Sequence, residues 1–537
     1  MASAEAGDRP LDRAPATETA EPEGEGERAA LHTTNKALLT IGVMAATIMQ
    51  ILDSTIANVA LPHMQASLGA TTDTITWVLT SYIVASAVAI PMTGWLADRV
   101  GSRRLFLTCV VGFVIASMLC GLATSLPEMV AFRVLQGIAA AFMNPLSQTV
   151  MMDINPPSKQ ASAMSIWGMG VMVGPILGPV IGGWLTEDYD WRWVFYVNVP
   201  IGIACFAVLW ALLPSRPIKT RRFDLFGFTM LALAISSLQV MLDRGTDADW
   251  FHSTEIWIEA AVAASAAWMF ATHLATAKEP MFPRALFANR NLLTGIGFMA
   301  VTGVLMMASM ALLPPMLQSL FGYPVMDTGL LLVPRGVGIV ISMAFAGRLI
   351  GRGADPRWLV GSGLLIAAAT LWQMTGWTLE MGAREFVWVG FVQGLGLGML
   401  FIPLNIMAFA TLSPSARTEG SSLLNLSRNI GGSVGISLVT ALLGASIQRN
   451  HEELAARLPD IGVMGNDPLV SAVLGGSTDT ALAVANGMVN QQAAMIGYLN
   501  DFWLMMVLTA AALPLVFLLK RPKGAAPAKP DADAMGH

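Results

Sequence analysis

The chain has 537 residues, 54% of them hydrophobic and 12% charged, with mean hydropathy +0.60. Soluble domains carry roughly 25% charge, so the composition excludes a soluble globular protein and reads as an all-α polytopic membrane protein. The formal net charge of -5 comes largely from an acidic N-terminal stretch, and no basic patch with interleaved aromatics points to nucleic acid.

In chain order, residues 1–36 are polar and Ala/Glu/Pro-rich, which predicts a disordered cytoplasmic tail rather than a signal peptide. A membrane span needs about 20 mostly apolar residues. About fourteen such runs follow, near 37–61, 74–97, 105–125, 128–152, 161–185, 193–213, 224–243, 254–275, 291–320, 327–350, 358–379, 385–411, 418–446 and 499–519. They divide into a six-helix bundle at 37–213, an extra helix pair with flanking cytoplasmic loops at 214–290, and a second six-helix bundle at 291–519. A long external loop is expected at 447–498, with short surface helices at Glu452–Leu458 and Thr478–Met495, and a cytoplasmic tail at 520–537. Placing the N-terminus inside puts about 22 of the 31 basic residues in cytoplasmic segments, so both termini are expected there.

A charge inside hydrocarbon costs a few kcal/mol or more and marks a functional site by default. Asp53, in the phrase Leu52-Asp-Ser-Thr-Ile-Ala-Asn-Val-Ala-Leu-Pro62, is such a charge. Counting back from Leu61 puts it about 12 Å deep, and Arg133 in span four lies about 8 Å from the same face. The two are therefore placed to pair or to share a water-bridged relay. Two readings stay open for Asp53, a proton carrier or a tie between helices. Arg335 and Arg428 are further in-span cations, candidates for a substrate contact or a structural charge. Cys109, Cys120 and Cys205 lie in apolar runs, and neither they nor the six histidines show metal-ligand spacing. No cofactor is expected.

Two internal matches indicate repeated halves. Gly94-Trp-Leu-Ala-Asp-Arg-Val-Gly-Ser-Arg-Arg104 recurs weakly as Gly347-Arg-Leu-Ile-Gly-Arg-Gly-Ala-Asp-Pro-Arg357, and Val134-Leu-Gln-Gly-Ile138 as Val392-Gln-Gly-Leu395. The offsets are 253 and 257 residues, as expected of a transporter whose halves rock about a midplane site. At the position matching Arg133 the second half has Gly390. In span five, Gly170, Gly174, Gly178 and Gly182 recur every fourth residue, a stripe on which another helix can approach closely. Pro175 and Pro179 remove backbone bonds there and permit a bend.

These phrases carry a family resemblance. The loop Gly94 to Arg104 resembles the signature loop of the major facilitator superfamily, with Ser102 replacing one basic residue of its last pair. The resemblance implies a conformational switch formed by Gly94, Asp98, Arg99, Gly101, Arg103 and Arg104. Arg133-Val-Leu-Gln136-Gly137 is similar to the motif whose arginine assists proton transfer. Gly174, Pro175, Gly178, Pro179, Gly182 and Gly183 look like the antiporter motif of the exporters in this superfamily. The phrases around Asp53, Trp191–Gly202 and Asn425–Ser433 resemble the fourteen-span drug:proton antiporters of the EmrB/QacA type. Asp243, Arg244, Asp249 and Trp250, in the loop between the extra spans, resemble the EmrB branch.

The resemblance implies proton-coupled export of hydrophobic or amphipathic small molecules across a bacterial inner membrane, with a periplasmic adaptor and an outer-membrane channel as partners. The loop at Asp243–Trp250 would face that adaptor, or act as an interfacial anchor. A dedicated exporter of one metabolite is the alternative within the class. An enzyme finds no nucleophile–base set or phosphate loop in the sequence, and a transporter-like receptor is the third class.

Overall fold

The computed structural model describes residues 30–216, 218, 222–457 and 478–520. Residues 1–29 of the tail expected at 1–36, residues 521–537 of the tail expected at 520–537, and loop residues 458–477 lie outside the described residues. In a bilayer every backbone N–H and C=O must be satisfied within the chain, which leaves helices or closed barrels. The described residues form helices and no strands.

The long helices are α1 (Lys36–Leu68), α2 (Trp77–Val100), α3 (Ser102–Leu122), α4 (Leu126–Asp153), α5 (Pro157–Asp188), α6 (Trp193–Leu212) and α7 (Leu225–Arg244). They continue as α8 (Thr254–Thr276), α9 (Arg290–Ser319), α10 (Val325–Gly351), α11 (Pro356–Met374), α12 (Ala383–Ala410), α13 (Arg417–Ala455) and α14 (Thr478–Ala512). Thirteen described helices are long and apolar enough to cross a membrane. The fourteenth, the 19-residue α11, packs against α12 and α14. Polar caps set several starts: Asn35 accepts from the Leu38 N–H, Asp224 from Gly227 and Asn289 from Leu292.

Three segments differ from the sequence expectation. α1 runs past Pro62 to a left-handed Gly69 cap, so Asp53 lies about 22 Å from its far end rather than about 12 Å. α13 continues to Ala455 and α14 already begins at Thr478, so much of the expected loop 447–498 is helix. The two helices support each other there. Gly497 packs on Leu443 and Ile447, Asn500 donates to Ser446 Oγ at 2.8 Å, and His451 meets Asn486 at 3.0 Å. Glu452–Ala455 and Thr478–Met495 are therefore ends of long helices, not separate surface helices.

In the first half α1 packs on α5 and α6, and α4 on α2 and α3; in the second, α10 packs on α12 and α9 on α13. The halves meet along α5–α10 and α4–α13, and α7 of the extra pair lies against both α2 and α13. The end of the bundle with the Gly94–Arg104 loop is called the loop end below. The last described residues also reach it, where Lys520 and Asn291 exchange two hydrogen bonds of 3.0 Å.

Candidate functional site

Asp53 and Arg133 are both 0% exposed and form an ion pair of 2.7 Å between Oδ2 and Nη1. The other carboxylate oxygen accepts from Gln136 Nε2 and from Asn198 Nδ2, each at 2.8 Å. Gln136 lies three residues after Arg133, hence on the same face of α4, and its Oε1 accepts from Arg133 Nη1 at 2.8 Å. Arg133 Nε donates to the Val78 carbonyl of α2 at 3.0 Å, and the guanidinium lies 4.2 Å from the centre of the Tyr82 ring. Asn198 is held in turn by Ser117, at 3.0 Å, whose hydroxyl donates to the Phe195 carbonyl at 2.9 Å. Five helices thus converge on one carboxylate. Arg133, Gln136 and Asn198 all donate to it, which suits the anion, since an ionised carboxylate only accepts.

The sequence alone assigns no role to Gln136 or Asn198. Their signal was the same as that of Asp53, a polar side chain inside an apolar run. Which acid they served was not legible until the helices packed.

The glycine stripe of α5 lies against the helix that carries Asp53. A Cβ added to Gly170 would come 2.5 Å from Met44, one on Gly174 2.6 Å from Ile51, and one on Gly182 3.2 Å from Ile56. At Gly178 it would overlap the Thr55 hydroxyl, which itself donates to the Gly174 carbonyl at 3.3 Å. Gly183 faces open space and stands outside the stripe. Pro175 and Pro179 lie inside a continuous α5.

At the loop end, Gly101 turns the chain between α2 and α3 with φ 94, a conformation that favours glycine. Gly94 lets α2 approach Glu419 of α13 so closely that a Cβ would overlap its side chain. Arg103 donates to the Trp210 carbonyl at 2.5 Å, Arg99 lies 6.0 Å from the Trp95 ring, and Arg104 is exposed. The strongest cross-link uses Asp153, the last residue of α4. This buried acid takes Arg216 on one oxygen and Arg417 of the second half on the other, the latter at 3.2 Å. Arg216 also donates to Thr418 at 3.3 Å, and Leu31 N–H to the Asp153 carbonyl at 2.9 Å. Burial pushes the Arg216 guanidinium down to about 10, helped by the Arg417 charge and opposed by Asp98. Above this layer Gln148 of α4 accepts from Ser421 and, at 3.0 Å, from Asn425 of α13. Arg428 donates to Asn425 at 3.1 Å and lies 5.7 Å from the Phe401 ring, so it joins this layer.

Asp153→Asn is expected to loosen this seam, because two half-buried guanidinium groups then lose their shared, buried counter-charge; their partial exposure keeps the cost below the roughly 3–5 kcal/mol of a fully buried pair. Alkylation of Ser422→Cys, a site 0% exposed on α13, should accelerate several-fold in the Asp153→Asn background. Unchanged alkylation would show that the seam does not depend on Asp153.

In the loop between the extra helices, Asp249 and Trp250 have φ 55 and 49, and Trp250 folds back on Gly245 with its N–H 2.7 Å from the Gly245 carbonyl. Arg244 makes a two-pronged pair with Glu255 at 2.5 and 3.2 Å. Asp243 is exposed on the last turn of α7, beside Thr80 and Gln239, so it belongs to the helix rather than the loop. Arg335 lies on α10 at 8% exposure.

The two repeated six-helix halves with the extra pair between them define the class. Residues 43–436 match the Major Facilitator Superfamily family model. The chain belongs to that superfamily, and within it to the EmrB-type proteins. It is 35% identical to "Multidrug export protein EmrB" of Escherichia coli (strain K12) over 496 residues, 91% of this chain and 96% of that one. It is 36% identical to "Fatty acid resistance protein FarB" of Neisseria gonorrhoeae over 494 residues, 90% of this chain and 96% of that one. Among solved structures, the human organic anion transporter MFSD10 (TETRAN) shares the fold with a TM-score of 0.56 at 14% identity, covering 88% of this chain and 99% of that one.

Proposed function

We propose that the protein is a proton-coupled antiporter that exports hydrophobic or amphipathic small molecules across a bacterial inner membrane, with both termini cytoplasmic. The observation that carries this reading is the fully buried Asp53 carboxylate held by Arg133, Gln136 and Asn198. Similarity to proteins named for multidrug export and for fatty acid resistance supports an exporter of amphipathic cargo.

The geometry supports a coupling logic. In the anionic state Arg133 and Asp53 neutralise each other, so the buried site carries no net charge. A proton arriving on Asp53 replaces an acceptor with an O–H and leaves Arg133 uncompensated in the bundle. An unpaired buried charge costs several kcal/mol, so protonation favours any rearrangement that lets Arg133 find water or another anion. The stripe Gly170–Gly182 transmits such a shift, because α5 touches α1 beside Asp53 and α10 of the second half on another face. The Asp153 seam acts as the cytoplasmic gate and is closed in the state described. The loop at Arg244, Asp249 and Trp250 is the proposed contact for a periplasmic adaptor, which would lead to an outer-membrane channel.

The test is flux in proteoliposomes under an imposed pH gradient, wild type against Asp53→Asn. Full gradient-driven transport by the variant would falsify Asp53 as the proton site.

A further inference from the structure

The internal repeat has a structural counterpart with one member missing. In the first half a Cβ on Gly137 would lie 2.5 Å from the Tyr82 carbonyl, so α4 rides close on α2 at that point. In the second half Gly394, the match of Gly137, rides equally close on the Arg335 carbonyl of α10. Arg335 therefore stands where Tyr82 stands, and the two are 253 residues apart, the offset of the Gly94 and Gly347 loops. Gly390, the match of Arg133, has no side chain, and a Cβ there would lie 3.7 Å from Arg335 Cβ. Gln393 matches Gln136. Each half thus carries an arginine and the matching glutamine at this helix crossing, on one helix in the first half and on two neighbouring helices, α10 and α12, in the second.

The acid has no counterpart. α9, which corresponds to α1, contains no Asp or Glu between Arg290 and Ser319. The helices packed on α10 hold acids only in their end turns, Glu385 of α12 and Glu187 and Asp188 of α5, and α10 itself has Asp327 in its first turn. The guanidinium of Arg335 makes no hydrogen bond or ion pair among the described residues, its Nε is buried without a partner, and so is Gln393 Oε1. An isolated buried cation is costly unless something neutralises it.

We propose that Arg335 and Gln393 hold the carboxylate of an amphipathic monocarboxylic acid cargo, in the place that Asp53 occupies in the first half. A carboxylate is the anion that meets a guanidinium through two parallel hydrogen bonds, and the Gln393 amide can add a donor as Gln136 does. Ile176 of α5 packs at Gly336, the next residue, so the cargo's apolar body meets the first half. Binding at this point joins the two halves, and the inference rests on the export reading for its meaning as a cargo site.

The experiment compares dodecanoate with dodecanamide binding to the full chain in nanodiscs by calorimetry. Wild type should prefer the acid by about 10- to 100-fold, the range for hydrogen bonds to charged groups. Arg335→Gln should abolish the preference, and Arg335→Lys should keep part of it. The ligand-free Arg335→Gln protein should melt no lower than wild type, whereas removal of a structural charge would lower the melting point. Equal binding of acid and amide by wild type, or a preserved preference in Arg335→Gln, overturns the proposal. Gradient-driven efflux of an uncharged dye is measured in parallel. Its absence in wild type with an intact acid preference sinks only the export reading, and its presence without an acid preference sinks only this one.

Discussion

Asp53→Asn is expected to reduce gradient-driven transport to the level of empty liposomes while the protein still reaches the membrane. The asparagine keeps the shape of the side chain and one acceptor, so Arg133 Nη1 retains a partner. It cannot cycle a proton, and its amide now offers donors where Gln136 and Asn198 also donate. The helix-tie reading predicts a different pattern, loss of folded protein rather than loss of coupling. Removal of the cation separates the two further. Arg133→Leu strands a buried carboxylate, a change worth about 3–5 kcal/mol, and should depress the amount of folded protein sharply. Adding Asp53→Asn to Arg133→Leu should restore much of that amount, because the stranded charge is gone. If the double variant is no better folded than Arg133→Leu alone, the two residues do not act as a pair.

Gly178→Leu is expected to be the most damaging change on α5. Its Cβ would overlap the Thr55 hydroxyl, two residues from Asp53, and the remaining side chain would force α1 and α5 apart. Overpacking a well-filled site costs about 1–3 kcal/mol, and here the obstacle includes the α1 backbone, since the carbonyl carbon of Thr55 is 3.6 Å from that Cβ. The expected readout is loss of transport together with a lower melting temperature. Gly183→Leu is the control. A Cβ there meets nothing within 4 Å, so folding and transport should stay near wild type. Equal damage at both positions would mean that glycine flexibility, not close approach of α1, is what α5 needs.

Several of these features were readable from the chain because they are local. An acid in an apolar run is visible without any partner, and glycine every fourth residue falls on one helix face by geometry alone. Comparing the depths of Asp53 and Arg133 uses helical rise only, and the helix end from which Asp53 is counted lies farther on because α1 passes through Pro62. The ends of α13 and α14 differ from the sequence expectation for a related reason. Their polar extensions read as loop until Asn500, Ser446, His451 and Asn486 are seen to bond across the pair.

The sequence by itself determined that this is a many-span membrane protein with repeated halves, where its in-span charges fall, and that α5 has a small-residue face. Membrane thickness, helical period and the cost of charge in hydrocarbon are properties of single segments, so one segment suffices to read them. Only the tertiary structure decided that Asn198 joins Gln136 around Asp53, that Asp153 bridges Arg216 and Arg417 across the halves, and that Arg335 has no acid partner among the described residues. Those facts depend on contacts between residues up to 264 positions apart, and packing geometry, not local composition, chooses which polar side chains meet.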